Sequence, residues 1–179
     1  DDLPGGPRQS VSGGSLMIYW KKGNLLESDC DYICQQVNCQ GKMNSGIAKQ
    51  IREKWPVVYQ NYMAKYNILN GVSGALLGDI QIVGLWEDYY TTDFHQSVIN
   101  MFSQEYYGYD KRRYTSYDAF WNCLNLIKKS ITTDKKIGFP YNIGCGLGGA
   151  NWNVILTMID TVLTDYTVEI YVLEDKDGK

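Results

Sequence analysis

Histidine is almost missing from this chain: His95 is the only one in 179 residues. Proline is scarce, with four, and none of the five cysteines (Cys30, Cys34, Cys39, Cys123, Cys145) forms a CxxC pair. With so few nitrogen ligands and no paired thiol spacing, a metal site is not expected. An odd cysteine count in a chain this long points to reduced thiols and an intracellular setting rather than a stapled secreted framework. No apolar run approaches the roughly 20 residues that a membrane span requires. No charged–apolar–small signal segment opens the sequence, so neither a membrane partner nor export is expected. Positive charge is not in excess either: 17 Lys and Arg stand against 20 Asp and Glu, for a net charge of −3. That balance excludes wholesale attraction to nucleic acid or an anionic membrane and leaves room only for a local basic cleft. Two phosphate fingerprints are absent as well. No GK[ST] follows a glycine loop, and no GxGxxG occupies the first βα turn, which argues against a P-loop and a dinucleotide-binding fold.

What is present is enough apolar material, 44% of residues, for one full-sized core. Residues 1–15, "DDLPGGPRQSVSGGS", hold two Pro and four Gly and read as a flexible leader or added segment. The domain is expected over 16–174, with a solvated tail at 175–179. No internal repeat is visible.

Strand-like and helix-like stretches alternate. Leu16–Trp20 and Tyr32–Val37 read as strands. Ser45–Lys54 reads as a helix, with Ile47, Ile51 and Trp55 four apart. Pro56 breaks or restarts it, and Val58, Tyr62 and Tyr66 carry the stripe on. Residues 76–90 read as one or two strands around a glycine turn, and 97–102 as a buried strand. Ser116 is placed to cap a helix through Lys129, with Phe120, Leu124, Ile127 and Ile131 on one face. Lys136–Tyr141 is a strand, Trp152, Ile155, Ile159 and Val162 line a last helix, and Val168–Leu173 closes the chain. Such alternation implies an α/β fold: a mixed, largely parallel sheet with helices on both faces and ligands beyond the carboxyl ends of the strands.

Two loops fit that position. "NCQGKMNSG" follows a strand and opens a helix near Gly46; "NIGCGLGGAN" follows a strand and opens a helix near Asn151. Each helix start presents unpaired backbone N–H groups and a partial positive charge, and glycine lets the main chain approach a ligand closely. Two such helix starts at one sheet end are expected to hold two anionic groups, most simply a diphosphate. Ordinary tight turns are the alternative.

The stretches "KGNLLES" (22–28), "VNCQGKMNSGIAKQIREKWP" (37–56) and "IGCGLGGANW" (143–152), in this order and spacing, resemble a macro domain over nearly all of residues 16–173. The resemblance implies a three-layer α/β/α fold that binds ADP-ribose. It is closest to the branch of ADP-ribose 1″-phosphate phosphatases and of hydrolases acting on ADP-ribosyl-glutamate and DNA-ADP-ribose. By that resemblance Gly46, Ile47 and Ala48 give N–H groups to one phosphate, and Asn38 holds the distal ribose. Gly144, Cys145, Gly146, Leu147 and Gly148 wrap the other side of the diphosphate. Asn24 stands where the family often has an aspartate that meets the adenine amino group, and Leu25 adds an N–H. Gly23, Met43, Asn44, Ser45, Ile143 and Gly149 complete the expected binding set.

Two family mechanisms depend on lysine. The glutamate-deacylating branch pairs one with an aspartate soon after "GCGL", where this chain has Gly148. The DNA-directed branch has its lysine where an ungapped alignment puts Gln104. What remains suits a phosphatase without cofactor or metal, in which Asn38 orients the 1″-phosphate and Gln104 positions the attacking water. ADP-ribosylated protein or nucleic acid stays open as a partner.

The other candidates have plainer readings. His95 precedes a strand and belongs to its amino end, away from the ligand edge. Asp93 and Asp118 read as surface and helix-capping residues, and Cys145 as a packed neutral thiol. Trp152 is placed to brace the second loop. "EYYGYDKRRY" (105–114) is either a lid or contact surface beside the site, or a solvated loop whose rings pack on the body.

Overall fold

Among the described residues five strands run parallel and a sixth turns back at one edge. The computed structural model describes residues 18–86 and 95–174. The strands are β1 (Ile18–Lys22), β2 (Tyr32–Asn38), β3 (Ile80–Leu85), β4 (Gln96–Gln104), β5 (Lys136–Pro140) and β6 (Thr167–Val172). The helices are α1 (Gly46–Lys54), α2 (Pro56–Ile68), the short α3 (Ser73–Leu76), α4 (Tyr117–Ser130) and α5 (Trp152–Val162), with a 3₁₀ turn at Leu25–Glu27. The sheet order is β1-β6-β5-β2-β4-β3, and only the β3–β4 pair is antiparallel.

Two apolar clusters make the layers. Cys34, Ile99, Phe139 and Ile170 face Phe120, Leu124, Ile155 and Ile159 of α4 and α5 on one side. Ile33, Val37, Val98 and Phe102 face Ile51, Val58, Tyr62 and Leu76 of α1 to α3 on the other. The alternation of strand side chains between two covered faces explains why apolar residues stand side by side at Ile33–Cys34 in β2 and at Val98–Ile99 and Met101–Phe102 in β4. Each fully buried Leu or Phe contributes about 1.5–3 kcal/mol. The fold is therefore a three-layer α/β/α sandwich.

Helix ends follow local chemistry. Ser116 Oγ accepts from Ala119 N at 3.2 Å, and Lys128 and Lys129 sit in the last turn of α4, where cations suit the helix dipole. Pro56 occupies the first position of α2, which needs no N–H, so the helical stripe restarts there after Trp55. Of the one or two strands expected over 76–90, one is described, and residues 87–90 lie outside the described residues. Leu76 ends a helical turn, Gly78 (φ +89°) makes the bend, and one strand follows. β1 continues two residues past Trp20, since an edge strand tolerates Lys21 and Lys22. Leu16, Met17, Asp93 and the terminal segments lie outside the described residues.

The topology creates a crevice. From β2 the chain crosses through α1 to α3 into the edge strand β3 and turns back into β4, all on one side. From β4 it crosses through α4 to reach β5 on the other. Connections that diverge on either side of one strand leave a gap at its carboxyl end, the switch point at which open α/β sheets bind ligands.

Candidate functional site

A cavity of about 820 Å³ lies along that edge. Its walls are the residues that follow strand ends: Gly23–Leu25 after β1, Gln36–Asn38 ending β2, Gln104 ending β4, Pro140–Asn142 after β5 and Tyr171–Leu173 closing β6. Strands about 4.8 Å apart make the crossing from β6 to β4 about 14 Å, enough for an elongated ligand rather than a single small ion.

The first loop is built around Asn38. Its Oδ1 accepts from Gln40 N (3.0 Å) and Lys42 N (3.4 Å), and its Nδ2 donates to Lys42 O (2.9 Å). The fully buried Tyr62 hydroxyl lies 2.8 Å from both Asn38 oxygens and accepts from Lys42 N at 3.1 Å. The loop then enters α1 through Ser45, which makes no side-chain capping bond, and Gly46, at φ +56°. The first N–H groups of α1 are therefore not spent on a cap, and Gly46, Ile47 and Ala48 line the cavity.

The second loop works through its glycines. Gly144 O accepts from Ala150 N (2.9 Å) and Thr115 Oγ1 (2.8 Å), while Gly148 O accepts from Tyr114 N (2.8 Å) and Thr115 N (3.0 Å). These carbonyls are committed to the protein. The N–H groups of Gly146, Leu147 and Gly148 have no acceptor among the described residues, and all three residues line the cavity. Consecutive free amides of this kind form an anion-binding concavity without a helix. The expected second helix start does not contribute: Asn151 Oδ1 accepts from Asn153 N at 2.9 Å, so α5 is closed by its own cap.

Between the loops stands Gln36, which sequence reasoning missed. Its Oε1 accepts from Ser103 Oγ (2.7 Å), and its Nε2 donates to Gln104 Oε1 (2.7 Å) and Thr115 Oγ1 (2.8 Å). A register shift near the end of β2 pairs Val37 with Phe102 but Asn38 with Gln104. The extra residue lets Ser103 and Gln104, neighbours in sequence, both reach Gln36. Gln104 Nε2 in turn donates to Tyr106 O at 2.8 Å. The available signal was a pair of glutamines, Gln35 and Gln36, in a strand with hardly any exposed residue.

No protein-family model matches the chain, and no match is found among the curated proteins. Solved structures do match. A protein of unknown function from Bacteroides thetaiotaomicron is 23% identical with a TM-score of 0.73, covering 88% of this chain and 99% of that one. The macrodomain of Mycobacterium tuberculosis DarG is 25% identical with a TM-score of 0.65, covering 89% and 98%. Thermosipho africanus DarTG in complex with ADP-ribose is 19% identical with a TM-score of 0.67, covering 89% of this chain and 43% of that one. The fold is that of a macrodomain.

Within this fold the cavity brings together Gly23, Asn24, Leu25, Asn38, Met43, Asn44, Ser45, Gly46, Ile47, Ala48, Gln104, Ile143, Gly144, Gly146, Leu147 and Gly148. Cys145 and Gly149 are not in its lining. Cys145 Sγ donates to Ile143 O, and burial pushes its thiol up to about 11, which keeps it protonated at neutral pH. Gly149, at φ +70°, lies against the Arg112 carbonyl. Asn24 Oδ1 already accepts from Leu26 N (3.0 Å), as the cap of the 3₁₀ turn. Asn44 Oδ1 accepts from Arg52 Nη1 at 3.0 Å.

Gly148 stands where no side chain fits. A Cβ there would lie 2.5 Å from Gly144 O and from Thr115 Oγ1, and 3.0 Å from Gln36 Nε2. The Gln36–Thr115 network fills the room that a side chain at 148 would need.

Remaining candidates separate cleanly. His95 is exposed ahead of β4, roughly 26 Å of strand away from Gln104. Tyr107 and Tyr109 line the cavity mouth while staying exposed, and Tyr107 N donates to Gln40 Oε1 at 3.2 Å. The 105–114 segment is thus hung between both loops rather than folded onto the body. Tyr141, another unforeseen wall residue, is held edge-on by Trp152 with ring centres 5.0 Å apart.

Proposed function

We propose that this macrodomain binds ADP-ribose across the carboxyl edge of the sheet and hydrolyses ADP-ribose 1″-phosphate to ADP-ribose and phosphate. The observation that carries the reading is the charge and donor content of the cavity. Two separate groups of free backbone amides, at 46–48 and 146–148, face one groove of diphosphate-binding length, and among the described residues no carboxylate lines it. Amides that need no reorganisation are suited to a pyrophosphate and, at the distal end, to a phosphomonoester. The ADP-ribose complex of the Thermosipho structure supports the same ligand.

In the reaction, water attacks phosphorus, the bond from phosphorus to the 1″ oxygen breaks, and that oxygen leaves with a proton as the 1″ hydroxyl. Phosphoryl transfer asks mainly for alignment and charge stabilisation. Gln104 has an amide N–H left after its bonds to Gln36 and Tyr106, and this N–H is the group to orient water. Asn38 acts through the turn that it holds.

A second reading, a reader that binds ADP-ribose without turnover, is favoured by one observation: neither histidine nor carboxylate is among the described residues lining the cavity. Incubation with ADP-ribose 1″-phosphate, read for free phosphate, decides between the two. ADP-ribosylated protein and ADP-ribosylated DNA are run beside it. Phosphate release slowed by Gln104→Ala supports the phosphatase. Tight binding of ADP-ribose with no phosphate released supports the reader. Release of ADP-ribose from a modified macromolecule overturns both in favour of an ADP-ribosyl hydrolase.

A further inference from the structure

Lys42 is the sole charged side chain among the described residues that line the cavity. Most cations near the site are already engaged. Arg52 donates to Asn44 and lies over the Tyr59 ring, Lys49 faces Glu53, Lys54 pairs with Glu27, and Arg112 pairs with Asp110. Lys42 Nζ has neither a hydrogen-bond acceptor nor a carboxylate partner among the described residues. Its main chain is the opposite case: the N–H is held by Asn38 Oδ1 and Tyr62, and the carbonyl by Asn38 Nδ2. A fully buried tyrosine and a nearly buried asparagine thus fix the base of an exposed side chain whose charge is paired with none of the described residues.

Its position is specific. The loop that carries Lys42 follows β2 and is tied to the segment after β4, by Cys39 N to Glu105 O (3.1 Å) and Tyr107 N to Gln40 Oε1 (3.2 Å). Lys42 also lines the groove that continues from the cavity past Tyr107 and Tyr109. It therefore stands at the Gln104 end, across the sheet from Asn24 and Leu173 at the β1–β6 end. A ligand whose diphosphate rests on the two amide groups would bring its distal terminus there.

We propose that Lys42 is the specificity-determining residue of the site: its ammonium group pairs with a terminal phosphomonoester and makes the cavity prefer a phosphorylated ADP-ribose to ADP-ribose itself. This rests on the ADP-ribose reading above. Asn38 and Tyr62 serve it as positioning residues. The ammonium group acts as a point charge, so a guanidinium on a stem of similar length replaces it and a neutral stem does not.

The test is calorimetric titration of ADP-ribose and of ADP-ribose 1″-phosphate into wild type, Lys42→Met and Lys42→Arg. Wild type is expected to bind the phosphorylated ligand about tenfold more tightly, a preference that weakens as salt is raised. Lys42→Met is expected to lose that preference while its ADP-ribose affinity stays within about twofold, and Lys42→Arg to keep most of it. Equal wild-type affinity for both ligands, a preference retained in Lys42→Met, or an equal loss for both ligands would overturn the role of Lys42 alone. Failure of wild type to bind either ligand would overturn the ADP-ribose reading and this inference together.

Discussion

After β2 the chain leaves the start of α1 open to the cavity; after β5 it closes the start of α5 with Asn151 and faces the cavity with loop amides instead. The first loop is shaped by polar side chains, Asn38 and Tyr62, and carries the only cation among the described cavity residues. The second is shaped by the absence of side chains: Gly144 sits at φ +74°, and Gly148 has no room for a Cβ. Two segments of similar composition and context thus reach the same end, free backbone amides in residues that line the cavity, by different routes. A helix terminus supplies them in one case and a glycine concavity in the other.

The largest break in this symmetry is expected from Gly148→Asp. The added Cβ would meet Gly144 O and Thr115 Oγ1 at 2.5 Å, so the second loop must move. ADP-ribose affinity should fall by at least about 100-fold, or about 2.7 kcal/mol, with circular dichroism unchanged. Unaltered affinity would mean that the second loop does not touch the ligand.

Asn38→Ala comes next. It removes the buried partner of Gln40 N, Lys42 N and Lys42 O at once. A loss of about 2–3 kcal/mol in denaturant stability and at least tenfold in ADP-ribose affinity is expected. Tyr62→Phe, which removes one hydroxyl from the same turn, should cost about 1 kcal/mol.

A crossed pair of cap substitutions sharpens the comparison. Ser45→Asp adds the missing cap to α1; it should raise stability by about 0.5–1 kcal/mol and weaken ADP-ribose binding, because the carboxylate competes for the same N–H groups. Asn151→Ala should cost about 1 kcal/mol of stability and leave binding unchanged. Melting curves and titrations of both variants would expose a common design if the two helices responded alike.

The smallest effect is a shared one. Burial pushes the Cys30 and Cys39 thiols up to about 12 and Cys145 up to about 11. The unfolded chain gives up these protons near pH 8.5, so above that value the folded state binds more protons than the unfolded one. Their contribution is complete below about pH 8.5 and is lost as pH rises toward 12. The melting temperature should be level across neutral pH and decline from about pH 9.

The layers and the edge that carries the cavity were legible in the sequence, because strand and helix periods alternate and both loops follow strand ends. Glycine at 46, 144 and 148 could be read as close backbone approach. What could not be read was where side-chain hydrogen bonds go. Ser45 and Asn151 are both residue types that cap helices, yet only Asn151 turns its oxygen onto its own helix. Gln36 reaches Gln104 through a register shift that no periodicity announces. Cys145 lies inside a binding-type motif yet turns to Ile143. Nothing in the sequence around Lys42 announces that its turn is pinned by Tyr62, 20 residues away.

The most direct test of the account is calorimetric titration of ADP-ribose into the wild-type domain and into Gly148→Asp under identical conditions. The account predicts one site of micromolar affinity in the wild type and no measurable heat in the variant. A wild-type domain that shows no binding, or a variant that binds as tightly, would contradict it.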